Sequence, residues 1–324
     1  MGRTLLLASA ASTMILVNAH AVAAQAWVPA AGEGSVSVLY QDLFVADHFF
    51  DRGQRRDRGE IHSNSVIVDF TYGITDRLAV TVGVPFIRAR YSGRAPHPTV
   101  QDDGETHSGV QDFRFTGRYN ITNGPLTITP FVSVNVPSHA YEYFAHASLG
   151  TRMREVEIGA YVGRVLSPRL PNTFIQASYS YSFPEEIVGV QVNRSHLSIE
   201  LGYFVTPAIR VFTMGNGLKT HGGVAVPEAG YRVLPAIQQS HHDRIGRIDL
   251  LDVGGGVQVT LTDRVDVFAS YMRSLAGRNT HAIDRGITFG ASWSFGGDRL
   301  PSLAGGSGGE EETDRQLGKC LCTK

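Results

Sequence analysis

Residues 72–86 read Tyr-Gly-Ile-Thr-Asp-Arg-Leu-Ala-Val-Thr-Val-Gly-Val-Pro-Phe. From Leu78 to Val84 the apolar side chains Leu78, Val80, Val82 and Val84 fall on every second residue, with Ala79, Thr81 and Gly83 between them. Successive side chains of a strand point to opposite faces, so this stretch is a strand with one apolar and one small or polar face. Ile74-Thr75-Asp76 supplies the residues of a tight turn just before it.

The same period of two recurs at Leu126–Thr129, His196–Leu201 and Asp284–Phe289. About twelve such segments are predicted, over roughly 34–44, 62–74, 77–90, 109–121, 125–137, 153–166, 172–184, 193–205, 208–217, 244–261, 264–275 and 282–295. Short connections lie at 74–76, 122–124, 167–171, 206–207 and 262–263 and hold the Gly, Pro, Asn and Asp of tight turns. Longer polar connections, at 47–60, 92–108, 138–152, 185–191, 218–243 and 276–281, alternate with them. A soluble sandwich has no reason to gather every long loop at one end. A bacterial outer-membrane barrel has short periplasmic turns and long external loops.

The polar faces carry too much charge for a dry core. Asp112, Arg114, Thr116, Arg118 and Asn120 share one face, Glu155 and Glu157 another, and Ser198 and Glu200 a third. Asp69, Asp252, Asp266 and Asp284 add acids opposite lipid-like residues. Burying those charges in an apolar interior is prohibitive, whereas a water-containing lumen accommodates them. Tyr72, Phe86, Tyr119, Tyr203, Tyr271 and Trp293 near strand ends suit the aromatic girdles of a membrane barrel.

Composition agrees by exclusion. A net charge of -1 lacks the electrostatic footprint of a nucleic-acid binder. A mean hydropathy of -0.07 is too polar for a bundle of membrane helices. The 2 cysteines, Cys320 and Cys322, both sit at the C-terminal end and cannot staple a fold. The expected fold class is therefore all-β: a transmembrane, antiparallel, up-and-down β-barrel with a flexible C-terminal tail.

The flanks fit export. Met1-Gly2-Arg3, an apolar stretch from Thr4 to Val17, and Ala24-Gln25-Ala26 before Trp27 have the three regions of a secretory signal peptide. The organisation expected is a signal peptide over 1–26, a barrel over 27–296 and a periplasmic tail over 297–324, in the outer membrane of a Gram-negative-type cell. The last strand contains Thr288-x-Gly290-x-x-Trp293-x-Phe295. This resembles the closing-strand signal read by the barrel assembly machinery, although Gly296–Lys324 follow it.

The segment Tyr72–Phe86 resembles the second hairpin of the "meta-pathway of phenol degradation" family of outer-membrane proteins. Ser108-Gly109-Val110-Gln111-Asp112-Phe113-Arg114-Phe115, followed by Arg118-Tyr119, is similar to that family's Gly-x-Gly-Asp strand opening, with Gln111 at the place of the second glycine. Leu261–Phe268 repeats the turn-and-strand style of the first motif. The resemblance spans roughly 34–296 and implies passage of small, often hydrophobic compounds across the outer membrane.

A barrel of about twelve strands falls between the filled eight-stranded and the open sixteen-stranded regimes, so a loop or inward side chains can constrict it. Candidate lumen-lining residues are Asp69, Asp112, Arg114, Arg118, Glu155, Glu157, Glu200, Asp266 and Asp284. They read either as a constriction with a transverse field or as ion pairs that brace the barrel. His196, Ser198 and Glu200 have the residue types of a barrel hydrolase. Leu197, Ile199 and Leu201 take the lipid side, however, so no catalytic residue is assigned. Loop histidines (His48, His97, His107, His139, His146, His221, His241, His242 and His281) have no metal-site spacing; loops on one rim can gather such residues into a Zn or Cu site, but solvated histidines are the default expectation. The tail's Cys320-Leu321-Cys322 offers a weak soft-metal site or a tether for a periplasmic partner. No cofactor is expected.

The sequence thus predicts a passive channel for small molecules, embedded in outer-membrane lipid and assembled by the barrel machinery. The stretch between Trp27 and the first strand leaves no room for a plug domain of the energised transporters. The rival readings are a non-conducting barrel that docks a periplasmic partner through its tail, and a barrel enzyme.

Overall fold

The computed structural model describes residues 25–93, 97–122, 124–227 and 230–296. Residues 1–24 of the expected signal peptide and the tail from 297, with Cys320 and Cys322, lie outside the described residues. The strands are β1 (Gly34–Phe49), β2 (Arg55–Gly73), β3 (Leu78–Ser92), β4 (Thr106–Val110), β5 (Phe113–Tyr119), β6 (Thr127–Val136), β7 (Glu155–Val165), β8 (Thr173–Pro184), β9 (Val192–Thr206), β10 (Ile209–Gly222), β11 (Asp249–Thr262), β12 (Val265–Arg278) and β13 (Thr280–Phe295). Neighbours in sequence pair antiparallel, and β13 returns to β1 from Gly34↔Phe295 to Phe49↔Thr280, which closes the ring. β4 and β5 both pair with β3 and form one interrupted stave, so the barrel has 12 staves. Pro85 explains the interruption. It has no N–H to give the ladder, and the partner strand bulges opposite it at Gln111 and Asp112, where Gln111 N donates to the Pro85 carbonyl at 2.9 Å.

The faces are those of a membrane barrel. On β9, Leu197, Ile199, Leu201 and Tyr203 are 44–47% exposed on the outside, while Ser198 and Glu200 line the interior. On β2, Val66, Val68, Phe70 and Tyr72 face out, while Ser63, Ser65, Ile67 and Asp69 are buried inside. With lipid outside, no backbone group may be left unpaired there, and a closed ladder is the β-sheet solution to that constraint. No helix among the described residues is long and apolar enough to cross a membrane.

Two connections are shorter than the sequence predicts. β1 and β2 continue beyond the expected loop start and reverse within residues 50–54, and β12 and β13 meet at Asn279 alone, in the left-handed region at φ 49°. Above the lipid the outer face no longer has to be apolar. Arg55, Arg56 and Asp57 can occupy paired positions there, so pairing outlasts the alternation that reveals it. The β10–β11 connection carries a 3-10 turn (Tyr231–Val233) and two short helices, α1 (Ala236–Gln239) and α2 (His242–Ile245). α2 occupies the first residues expected to be strand.

The interior is braced by a repeated pair. Phe131↔Gly159, Phe174↔Gly202, Phe212↔Gly256 and Phe268↔Gly290 are direct cross-strand partners in four successive hairpins. In each, the ring lies where a Cβ on the opposite glycine would be. A glycine opposite an inward aromatic lets the ring lie flat along the wall, covering backbone and permitting curvature.

Candidate functional site

The lumen is divided into three levels. Its middle holds a cavity of about 230 Å³. Of the residues predicted to line the lumen, Asp69, Arg114, Arg118, Glu157 and Glu200 border this cavity, with Asp252 beside them. Arg114 Nη2 lies 2.8 Å from Asp69 Oδ1, and Arg210 Nη1 lies 3.9 Å from Glu200 Oε1. Gln176 donates to Glu200 at 3.3 Å, and the Ser180 hydroxyl donates to Glu157. Arg194 pairs with Glu155 at 3.2 Å. Acids and bases are thus paired, Glu200 with Arg210 on adjacent strands and Asp69 with Arg114 and Glu155 with Arg194 across an intervening one, so the wall is not a ring of one sign.

The other candidates do not border the cavity. Asp112 sits in the stave interruption and accepts the Tyr141 hydroxyl at 2.6 Å. Asp266 is buried beside the Thr260 hydroxyl at 2.6 Å. Asp284 stands near the extracellular end, where it accepts Ala46 N at 2.7 Å and the Arg55 guanidinium. His196 is 3.4 Å from the Ser182 hydroxyl, on a neighbouring strand, and no hydrogen bond joins it to Ser198 among the described residues.

At the periplasmic end the short segment before β1 enters the lumen. Ala26 is fully buried against Phe131 and Tyr161, with Trp27 packed beside it. Its carbonyl accepts the Thr129 hydroxyl, and the Gln25 carbonyl accepts Arg118 Nη1 at 3.0 Å. Gly163 makes room: a Cβ there would lie 2.5 Å from the Trp27 ring. This short segment narrows the periplasmic end.

At the extracellular end the β6–β7 connection folds inward. Ala145–Gly150 are buried. Ala147 joins an apolar cluster with Leu43, Ile61, Ala89, Tyr91 and Ile283, and Tyr141 and Leu149 pack on Ile87. Asp102, from the β3–β4 connection, holds this loop by accepting from His146 N at 3.0 Å, Ala147 N at 3.0 Å and His146 Nδ1 at 2.8 Å. It also accepts His97 N at 2.9 Å and His97 Nδ1 at 3.1 Å. Burial alone would raise the Asp102 carboxyl, but the hydrogen bonds from His146 and His97 outweigh it and hold the group well below the usual carboxylate range. Burial pushes the His146 imidazole down, which favours its neutral form.

The expectation of solvated loop histidines is corrected here. His48, His97, His146, His242 and His281 are buried, while His107, His139, His221 and His241 keep solvent contact. The burial follows from loop convergence, which sequence spacing does not report. Arg194 and Arg210 were likewise not singled out from sequence, although Arg210 falls on the lumen face between the outward Ile209 and Val211.

Among solved structures the chain is similar to an outer membrane channel from Pseudomonas putida F1, with TM-score 0.63 and 14% identity over 83% of this chain and 97% of that one. Looser likenesses are to the beta domain of the Bordetella autotransporter Brka (TM-score 0.48, 11% identity, 82% and 100% covered) and to NanC porin (TM-score 0.46, 7% identity, 80% and 98% covered). The first of these likenesses establishes the fold, that of an outer-membrane β-barrel. No protein-family model matches the chain, and no curated protein matches it.

Proposed function

We propose that the chain is an outer-membrane channel for passive passage of small molecules, with hydrophobic and aromatic compounds as the solute class. The observation that carries this reading is the cavity of about 230 Å³ inside a closed ring, bordered by matched acids and bases yet also by Phe131, Tyr161 and Met214. Such a wall orients a dipolar solute while offering apolar surface to its body. The resemblance of Tyr72–Phe86 and Ser108–Phe115 to the phenol meta-pathway family supports the same solute class. On this reading, export removes residues 1–26, the barrel assembly machinery reads Thr288, Gly290, Trp293 and Phe295, and the protein resides in outer-membrane lipid. Purified protein in planar bilayers should give discrete conductance steps, and a folded barrel silent at every voltage overturns the channel. Solute uptake by cells with and without the protein tests the compound class.

The filled lumen ends favour one second reading: a non-conducting barrel whose tail, with Cys320 and Cys322, recruits a periplasmic partner. A silent barrel with tail-dependent capture of one defined protein is its signature.

A further inference from the structure

Separate connections bring five buried histidines together at the extracellular end. His97 sits on the β3–β4 connection, His146 on β6–β7 and His242 on α2 of β10–β11, with His48 and His281 facing them from β1 and β13. The rings of His97 and His146 are 4.3 Å apart, and those of His97 and His242 5.5 Å. Hydrogen bonds fix where the ring protons sit. His97 Nδ1 donates to Asp102 at 3.1 Å, and His242 Nδ1 donates to the Gln239 carbonyl at 2.6 Å. With the proton on Nδ1, each neutral ring presents a lone pair on Nε2.

Those two Nε2 atoms are buried and have no hydrogen-bond partner among the described residues. His242 Nε2 lies only 3.1 Å from Asp243 Oδ1. A lone pair facing a carboxylate oxygen at that distance is repulsive unless a cation stands between them or the ring gains a proton.

We propose that His97, His242 and Asp243 form a binding site for a divalent transition-metal cation of the Zn²⁺, Co²⁺ or Ni²⁺ kind. One ligand atom from each lies within 4.8 Å of the others. A tetrahedral ion at about 2.0–2.1 Å from each would set them about 3.3 Å apart, close to the present His242–Asp243 separation and, for His97, a contraction that side-chain rotation supplies. Two imidazole nitrogens with one carboxylate select such ions over Ca²⁺ or Mg²⁺, which take oxygen ligands. Asp102 behind His97 is the carboxylate–histidine link that orients a metal-binding ring. His97 and His242–Asp243 come from different connections, so the ion clamps the β3–β4 loop to the β10–β11 loop across the mouth. The site does not depend on the lumen conducting.

The test uses folded full-length chain carrying Cys320→Ser and Cys322→Ser and no histidine tag, stripped with a chelator and titrated with Co²⁺. One Co²⁺ per chain is expected, with visible ligand-field bands that Zn²⁺ displaces. Binding should weaken by about 100-fold or more in His97→Ala and in His242→Ala, and persist in His107→Ala, a half-buried histidine of β4 outside the set. Heat-modifiable migration checks each variant for folding, and the near-isosteric His97→Gln and Asp243→Asn serve if an alanine variant does not fold. Absence of stoichiometric binding by the folded chain, or binding unchanged in the folded His97 and His242 variants, overturns the proposal. A protonated His242 beside Asp243 then accounts for the contact.

Discussion

Asp69 on β2 and Arg114 on β5 form an ion pair that passes over Gly83 on the intervening strand β3, with Nη2 and Oδ1 2.8 Å apart. A Cβ at position 83 would lie 2.6 Å from the Asp69 oxygen and 3.1 Å from Arg114 Nη2. Three staves therefore cooperate to place one charge pair at the cavity wall. Arg114→Gln leaves the Asp69 charge unmatched and should shift the bilayer reversal potential in a salt gradient toward cation selectivity, while Asp69→Asn should shift it toward anions. Gly83→Ala moves only the flexible end of Asp69, so its stability cost should stay below about 1 kcal/mol. Reversal potentials unchanged in both charge variants would remove the pair from the permeation path.

Gly290 has a packing role and a proposed recognition role, which one comparison separates. It belongs to the closing-strand pattern, and the Phe268 ring lies where its side chain would be. Gly290→Val should cost about 1–3 kcal/mol through overpacking, and Gly256→Val, opposite Phe212, should cost a similar amount. Denaturant unfolding of the refolded barrels measures both. In assembly assays with the barrel machinery, only the Gly290 variant should be slowed beyond its stability loss. Equal slowing of the two variants would remove Gly290 from the recognition signal.

The Trp27 ring can be dislodged from outside its own segment. Gly163→Val would place side-chain atoms on that ring and on Ala26, which should expel the segment and raise single-channel conductance by about twofold or more. Trp27 stays with the mature chain when cleavage falls after Ala26, so the experiment holds for the processed protein. Conductance equal to the parent's, in a variant shown to be folded, would place the narrowest point elsewhere.

Tyr141 supplies a pH signature of the inward loop. Burial, then the Asp112 charge and the hydrogen bond to it, raise its hydroxyl well above the ordinary 10.0. A group whose folded value is raised contributes stability that is fully present below the unfolded value and is lost as pH rises through the folded one. Loosening of the β6–β7 loop through this group is therefore expected on the alkaline side of about pH 10. The tyrosinate absorbance of the parent should show a late-titrating component that Tyr141→Phe removes. Identical alkaline limbs in the two proteins would contradict it.

The membrane-level architecture was legible because lipid imposes a rule on every second residue. Val80, Val82 and Val84 announce their face, and so do Leu197, Ile199 and Leu201. The rule lapses above the lipid, which is why the continued pairing of Arg55–Asp57 with β1 and the tight junction at Asn279 read as loops. The lumen candidates share this limit. Alternation tells that Glu200 and Asp284 turn away from lipid, but only the register places Glu200 at the cavity and Asp284 near the extracellular end. Contacts between residues far apart in the chain, such as Asp102 with His146 or Ala26 with Thr129, leave no local pattern at all.

The segment at the periplasmic end ties the start of the chain to its middle. Trp27, which stays when residues 1–26 are removed, precedes every strand, yet the groups it packs among, Phe131, Tyr161 and Gly163, arrive on β6 and β7, and the ring shuts only when β13 meets β1. The segment is moored to the base of β2, where Gly32 N donates to the Gly73 carbonyl at 2.9 Å and Gly73 N to the Glu33 carbonyl at 2.8 Å. The β1–β13 seam therefore encloses Trp27 against the wall of β6 and β7, so the joint that closes the ring also confines the residue that would lead the processed chain.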